Sequence, residues 1–170
     1  IKPIYQTENQ YSKGVNITQM YHLPRMNGRY VALCEGDDYW TDPLKLQKQY
    51  DAMENHPNVD ICAHAVTKMR AANGRKAGAV SPSKIETIFT ISEVIAGGGG
   101  FVATNSLFYR RELLENQPEF RRHCPLDYAL QIQGALRGGM LYLPDNMAVY
   151  RVLVPGSWTS RLSKDTAANR

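Results

Sequence analysis

Tyr30-Val31-Ala32-Leu33-Cys34-Glu35-Gly36-Asp37-Asp38-Tyr39-Trp40-Thr41-Asp42-Pro43 is the stretch from which the rest of the chain is read. From Arg29 to Cys34 it is nearly continuous in apolar residues, the pattern of a strand covered on both faces of a sheet. The run breaks at the polar cluster Glu35-Gly36-Asp37-Asp38, and a helix follows. Thr41 or Asp42 can cap that helix, and Pro43 takes its first position, where a missing N–H costs nothing. Leu46, Tyr50 and Met53 predict its apolar face. Strand, acidic turn and capped helix form a unit of an α/β sheet. In open sheets of that class, ligands bind beyond the carboxyl ends of the strands.

Upstream, Ile4 to Gln10 reads as a short strand and its exit. Gly14 to Met26 reads as a helix stopped by Asn27-Gly28, with Pro24 arguing for an early end or a kink. Downstream, Val59 to Val66 partly alternates as a strand, and Asn73-Gly74 marks a hairpin or loop tip. Thr90 to Ala96 forms a short capped helix that runs into Gly97-Gly98-Gly99-Gly100. Those glycines make a flexible connection or allow the backbone to approach a ligand closely. A strand at Phe101 to Tyr109 and a helix from Pro125 to Arg137, closed by Gly138-Gly139, come next. Strands around Met140 to Leu143 and Met147 to Val152 complete the set. Strands separated by helices predict a mixed, mainly parallel α/β sheet flanked by helices, with an antiparallel or irregular C-terminal part. The organisation expected is a single domain over residues 1–170, in which 155–170 form a flexible C-terminal segment.

Composition narrows the function. The 170 residues are 43% hydrophobic and 21% charged, which fits a soluble globular chain and not a disordered one. No apolar run approaches the roughly 20 residues of a membrane-spanning helix. The net charge of +4 is scattered, with pairs at Arg110-Arg111 and Arg121-Arg122 but no basic block. That argues against a nucleic-acid partner and suits a small phosphate-bearing substrate. Cys34, Cys62 and Cys124 are odd in number and lack CxxC spacing, so neither zinc nor a disulfide framework is expected, and a reducing cytoplasm is. His22, His56, His64 and His123 show no ligand spacing. The chain opens Ile1-Lys2-Pro3 with neither an initiator Met nor a signal peptide, as a piece of something longer would.

Adjacent carboxylates on a tight turn can offer hard oxygen ligands to Mg²⁺ or Mn²⁺, with water and substrate phosphate completing the shell. Asp37 and Asp38 can equally be solvated turn residues. Trp40, beside them, either stacks on a sugar or braces the turn by packing.

Gly28 to Gln49 closely resembles the inverting family 2 glycosyltransferases of the GT-A type, which carry G-x-Y-[IV]-A-x-x-[ED]-x-D-D-x-W-x-x-P-x-K-L-x-x-Q after a central strand. A second block is similar to the same family: Asp127-Tyr128-Ala129-Leu130, then Gly138-Gly139, then Tyr142-Leu143-Pro144-Asp145-Asn146-Met147-Ala148-Val149-Tyr150-Arg151. The resemblance implies a GT-A-like fold and metal-dependent transfer of a sugar from a nucleotide-sugar. The donor expected is a UDP-sugar, and the acceptor a glycan or lipid-linked hydroxyl in bacterial polysaccharide biosynthesis. It implies Mn²⁺ or Mg²⁺ held by Asp38 with Glu35, the leading acid of the motif. Asp37 would contact the donor ribose or the metal shell. Asp127 would be the base that deprotonates the acceptor, and Arg151 would help hold the diphosphate or order the C-terminal loop. Asp127 would also suit a helix N-terminus, and Arg151 a surface ion pair. A mobile loop carrying Trp158 would close over the acceptor.

Some family features are missing. Nothing from Ile1 to Asn27 matches the family's opening strand and turn, so the chain is expected to begin after the nucleotide-binding half. Val152 follows Tyr150-Arg151 where the family commonly has His, and Leu126 precedes Asp127 where a second acid is often found. These departures keep open a non-catalytic glycosyltransferase-like fragment with a binding or assembly role. A cytoplasmic chain, associated with membrane through its acceptor and prone to self-association at exposed sheet edges, completes the expectation.

Overall fold

The computed structural model describes residues 3–124, 126–155 and 157. In chain order its elements are β1 (Tyr30–Ala32), β2 (Tyr39–Trp40), α1 (Lys45–Asn55), β3 (Ile61–Arg70), β4 (Lys76–Val80), β5 (Thr87–Phe89), α2 (Ile91–Gly97), β6 (Phe108–Arg110), α3 (Glu112–Glu115), α4 (Glu119–His123), α5 (Asp127–Ala135) and β7 (Met140–Val152). Short π and 3₁₀ turns at Thr18–His22 and Leu23–Arg25 precede β1, and one at Thr104–Ser106 lies between α2 and β6.

The long strands β3 and β7 run parallel, from Ile61 opposite Met140 to Arg70 opposite Val152. Every other strand pairs with one of these two except β1, which pairs with β6. β6 and β4 flank successive halves of β3, and β5 and β2 flank successive halves of β7. The main path reads β1-β6-β3-β7-β2. Pairing between β3 and β7 slips where β7 passes Pro144, which has no N–H to give to the ladder.

The expectation of a mainly parallel sheet is corrected here. The sheet is mixed, and β3–β7 is its parallel pair among the described residues while the other pairings are antiparallel. A parallel return needs a crossover of about a dozen residues or more. The link from β3 to β4 through Asn73-Gly74 is far shorter and closes a hairpin, with Gly74 at φ +65°. Continuous apolar runs report burial on both faces and say nothing about strand direction. β1 is likewise not a fully covered central strand: it ends the path, pairs only with β6 among the described residues, and buries Val31 alone.

Other elements shift in informative ways. Residues 4–10 form no strand, and the helix expected over 14–26 is reduced to the two short turns around Pro24. α1 begins at Lys45 because the Asp42 side chain turns the chain first, accepting from the Leu44 N–H at 2.8 Å. Its buried face is Lys45, Gln49 and Met53, while Leu46 and Tyr50 are exposed. The strand expected over 101–109 contracts to β6, and the two C-terminal strands fuse into β7. The α2 cap matches expectation as a full capping box between Thr90 and Glu93. Within the glycine run, Gly97 answers to packing, since a Cβ there would lie 2.2 Å from the Phe101 ring, and Gly98 to its φ of +67°.

Alternation along β3 divides the core into two layers. Ile61 and Ala63 join Tyr109, Met140 and Tyr142 against Leu130 and Ala135 of α5 and Leu113 and Leu114 of α3. Cys62 points the other way, with Phe108, Leu141 and Met147, against Met53 of α1. Helices on both faces leave the turn after β1, the end of β7 and the start of α5 at one edge of the molecule, where the candidate site lies.

Candidate functional site

The acidic turn is held from behind. The Asp38 N–H donates to the Glu35 carbonyl at 3.1 Å, which closes the turn. β2 then pairs Tyr39 with Val149 and Trp40 with Ala148, and this register sets Arg151 against the turn. The Arg151 backbone N–H donates to Asp38 Oδ1 at 2.8 Å, and its Nε donates to the Asp37 carbonyl. Asp38 is buried at 8% exposure, and its Oδ2 is buried without a hydrogen-bond partner. A buried, unpartnered carboxylate oxygen is costly unless something else uses it.

Asp127 opens α5. Its Oδ1 accepts from the Tyr128 N–H at 2.8 Å, and its Oδ2 accepts from the Thr104 hydroxyl. The turn at Thr104–Ser106 is itself pinned to the elements around the acidic cluster. Trp40 Nε1 donates to the Asn105 carbonyl at 3.1 Å, Gln49 Nε2 to the Ser106 carbonyl at 2.9 Å, and Asn105 Nδ2 to the Val149 carbonyl at 2.9 Å. Beneath it, Lys45 Nζ donates to Gln49 Oε1 at 2.7 Å and sits 4.2 Å from the centroid of the Trp40 ring. Burial lowers the Lys45 pKa to about 8. Trp40 is therefore a brace, with its N–H bonded and its ring over a cation.

Electrostatics shows which acids share one environment. Desolvation, with the charges of Asp38, Asp127 and Asp37, pushes Glu35 up to about 7. Asp38 is raised by desolvation and by Asp37, against the opposing hydrogen bond from Arg151. The Tyr150 hydroxyl is raised by desolvation and then by Glu35, Asp38, Asp37 and Asp127. The fold thus brings Asp127, about 90 residues away in sequence, into one negative field with the turn acids Glu35, Asp37 and Asp38. Among the described residues, no three His, Cys, Asp or Glu side chains form a closed metal cage. An open site remains, in which a hard divalent ion would take the free Asp38 oxygen and fill its shell from water and substrate. The orphaned Asp38 oxygen is the feature of this turn that such an ion would use.

Asp127 also lines a cleft of about 1410 Å³, together with Leu33, Tyr109, Arg121, Leu130 and the segment around Gly14 to Gln19. Arg151 makes no carboxylate pair among the described residues and acts on the turn through its backbone and Nε. Trp158, and with it the loop expected to close over the acceptor and nearly all of 155–170, lies outside the described residues, as does Pro125. His64 is buried, with Nδ1 on the Ala65 carbonyl at 2.8 Å, and burial lowers its pKa to about 4, as befits a neutral core residue. Sequence reasoning missed Thr104, Asn105, Lys45 and Gln49 as supports of the site. The i, i+4 spacing of Lys45 and Gln49 was a usable signal, whereas Thr104 was hidden in a stretch read as strand.

No protein-family model matches the chain. Uncharacterized proteins from Mycobacterium bovis and Mycobacterium tuberculosis are 36% identical to it over 155 residues, covering 89% of this chain and 42% of theirs. The chain therefore spans about two fifths of the length of the curated relatives it matches. Among solved structures, S. aureus TarS, a glycosyltransferase, aligns with a TM-score of 0.53 at 17% identity, over 79% of this chain and 24% of that one. At that identity the likeness speaks for the fold alone: over the aligned part, this chain folds as that structure does.

Proposed function

We propose that the chain carries the acidic turn and the base of a metal-dependent inverting glycosyltransferase that uses a nucleotide-sugar, with a UDP-sugar as the expected donor. The observation that carries this reading is the buried, unpartnered Oδ2 of Asp38 in a turn that shares its field with Asp127. Asp38, with Glu35 beside it, would hold Mn²⁺ or Mg²⁺ at the donor diphosphate. When bound, the ion neutralises negative charge that develops on the departing diphosphate. Asp37 would face the donor ribose or the metal shell. Arg151 keeps both aspartates in place through its two hydrogen bonds to the turn.

Asp127 takes the proton from the acceptor hydroxyl. Its Oδ2 is already oriented by Thr104 and its Oδ1 by the Tyr128 N–H. Removal of that proton lets the acceptor oxygen form its bond to the anomeric carbon as the bond to the diphosphate breaks. One displacement inverts the configuration, and no covalent nucleophile is required. The acceptor expected is a glycan or lipid-linked hydroxyl. Among the described residues no helix is long and apolar enough to cross a membrane.

The test is release of UDP from UDP-glucose, UDP-galactose and UDP-N-acetylglucosamine with Mn²⁺, with and without added glycan acceptors. Turnover of one donor that is lost in Asp38→Ala and in Asp127→Asn supports the reading. A second reading, a non-catalytic glycosyltransferase-like chain, is favoured by Leu126 and Val152 standing where the resembled family commonly has an acid and a histidine. Binding of UDP with Mn²⁺ but no turnover of any donor would select it, and binding of neither would remove both.

A further inference from the structure

We propose that Arg121 is an oxyanion anchor in the cleft it shares with Asp127, so that the ligand of this cleft carries a phosphate or carboxylate group. Arg121 lies on α4 and is 8% exposed. Its Nη1 donates to the Leu126 carbonyl at 3.0 Å, and its Nε is buried without a partner. Among the described residues no carboxylate forms an ion pair with it, although Asp127 lies on the same cleft wall. Asp127 is bonded to Thr104 and to the Tyr128 N–H and acts on Arg121 through its charge without a direct ion pair.

Stability alone does not account for this arrangement. A buried charge without a counter-charge is unfavourable, and an apolar side chain of similar size in its place is often neutral or stabilising. The two neighbouring arginines of the fold have counter-charges: Arg110 pairs with Asp60 and Arg111, whose Nε also lacks a hydrogen bond, pairs with Glu115. Arg121 has no such carboxylate pair among the described residues, and it lines the cleft with Asp127. A planar guanidinium with free N–H groups matches the oxygens of a phosphate or carboxylate in fork geometry.

The inference goes beyond the transferase reading, because oxyanion binding at Arg121 requires neither a metal nor a donor. Joined to that reading, it names the acceptor class as an acidic or phosphorylated glycan whose hydroxyl reaches Asp127 while its anionic group reaches Arg121.

The experiment follows the arginine Nε–Hε resonances of the ¹⁵N-labelled chain by NMR during separate titrations with inorganic phosphate and with glucuronate. The Arg121 signal is assigned by its loss in Arg121→Met and, should that variant not fold, in Arg121→Lys. The expected result is a saturable shift of the Arg121 resonance with at least one anion. The same anion should raise the melting temperature of wild type but not of Arg121→Met. A response to phosphate alone assigns a phosphorylated ligand, and a response to glucuronate alone assigns an acidic sugar. An Arg121 resonance that ignores both anions overturns the proposal, as does a thermal response that survives in Arg121→Met. Anion binding without UDP-sugar turnover would leave this site standing and bring down the transferase reading, whereas the reverse would remove Arg121 alone.

Discussion

At the scale of single residues, the account turns on what Asp38 does with its two oxygens. One is satisfied by the Arg151 N–H and the other is buried and unpartnered, so charge and hydrogen bonding can be separated by substitution. Asp38→Asn keeps an oxygen for Arg151 while removing the buried charge. It should leave the melting temperature unchanged or higher and weaken Mn²⁺-dependent UDP binding by roughly 10-fold or more, both measurable by calorimetry. Glu35 supplies a pH signature. Its carboxyl titrates near 4.5 when free and at about 7 in the folded chain, so between these values the folded state binds more protons than the unfolded state. Its contribution to stability is complete below about 4.5 and lost as the pH rises through about 7. Urea unfolding across that window should show a decline that Glu35→Gln removes and that Mn²⁺ reduces. Asp37 and Asp38 stood out in sequence as an acidic turn after a strand, whereas Asp127 was singled out by the family resemblance. Thr104 and Arg121 were not legible there, because their meaning lies in partners made or missing in three dimensions.

At the scale of elements, the site depends on how tightly α5 lies against the sheet. Gly134 faces Ile61 of β3, and a Cβ there would come within 2.5 Å of the Ile61 Cγ2 in a fully buried position. Gly134→Ala should therefore cost about 1–3 kcal/mol of unfolding free energy, measured in urea, by pushing α5 off β3. Asp127 would move with α5, so activity should fall along with stability. The capped helix α2 and the β3–β4 hairpin were readable because their signals are local: a Thr90–Glu93 capping box and an Asn-Gly tip. Strand direction was not, since β3 is buried on both faces whichever way its neighbours run. The face of α1 was misjudged for a related reason. Hydrophobic spacing favoured Leu46 and Tyr50, but the polar Gln49 is buried holding the Thr104–Ser106 turn, and Lys45 is buried against Gln49 and the Trp40 ring.

At the scale of the whole molecule, two long parallel strands carry flanking strands on both sides, and the site forms where β7 ends beside the turn after β1. β1 is paired on one side only among the described residues, and an unpaired strand edge is a template for association. Light scattering of the 170-residue chain should give a mass above the 19.2 kDa of the monomer. A monomer across a range of concentrations would show that the edge is protected. The central claim, that the acidic turn grips a divalent ion at a nucleoside diphosphate, has one direct test. Crystals grown with Mn²⁺ and UDP, measured at the manganese edge, should show an anomalous peak within bonding distance of Asp38 Oδ2 and a diphosphate oxygen in the same coordination shell. A nucleotide bound elsewhere, or a turn that stays empty at saturating Mn²⁺ and UDP, would contradict it.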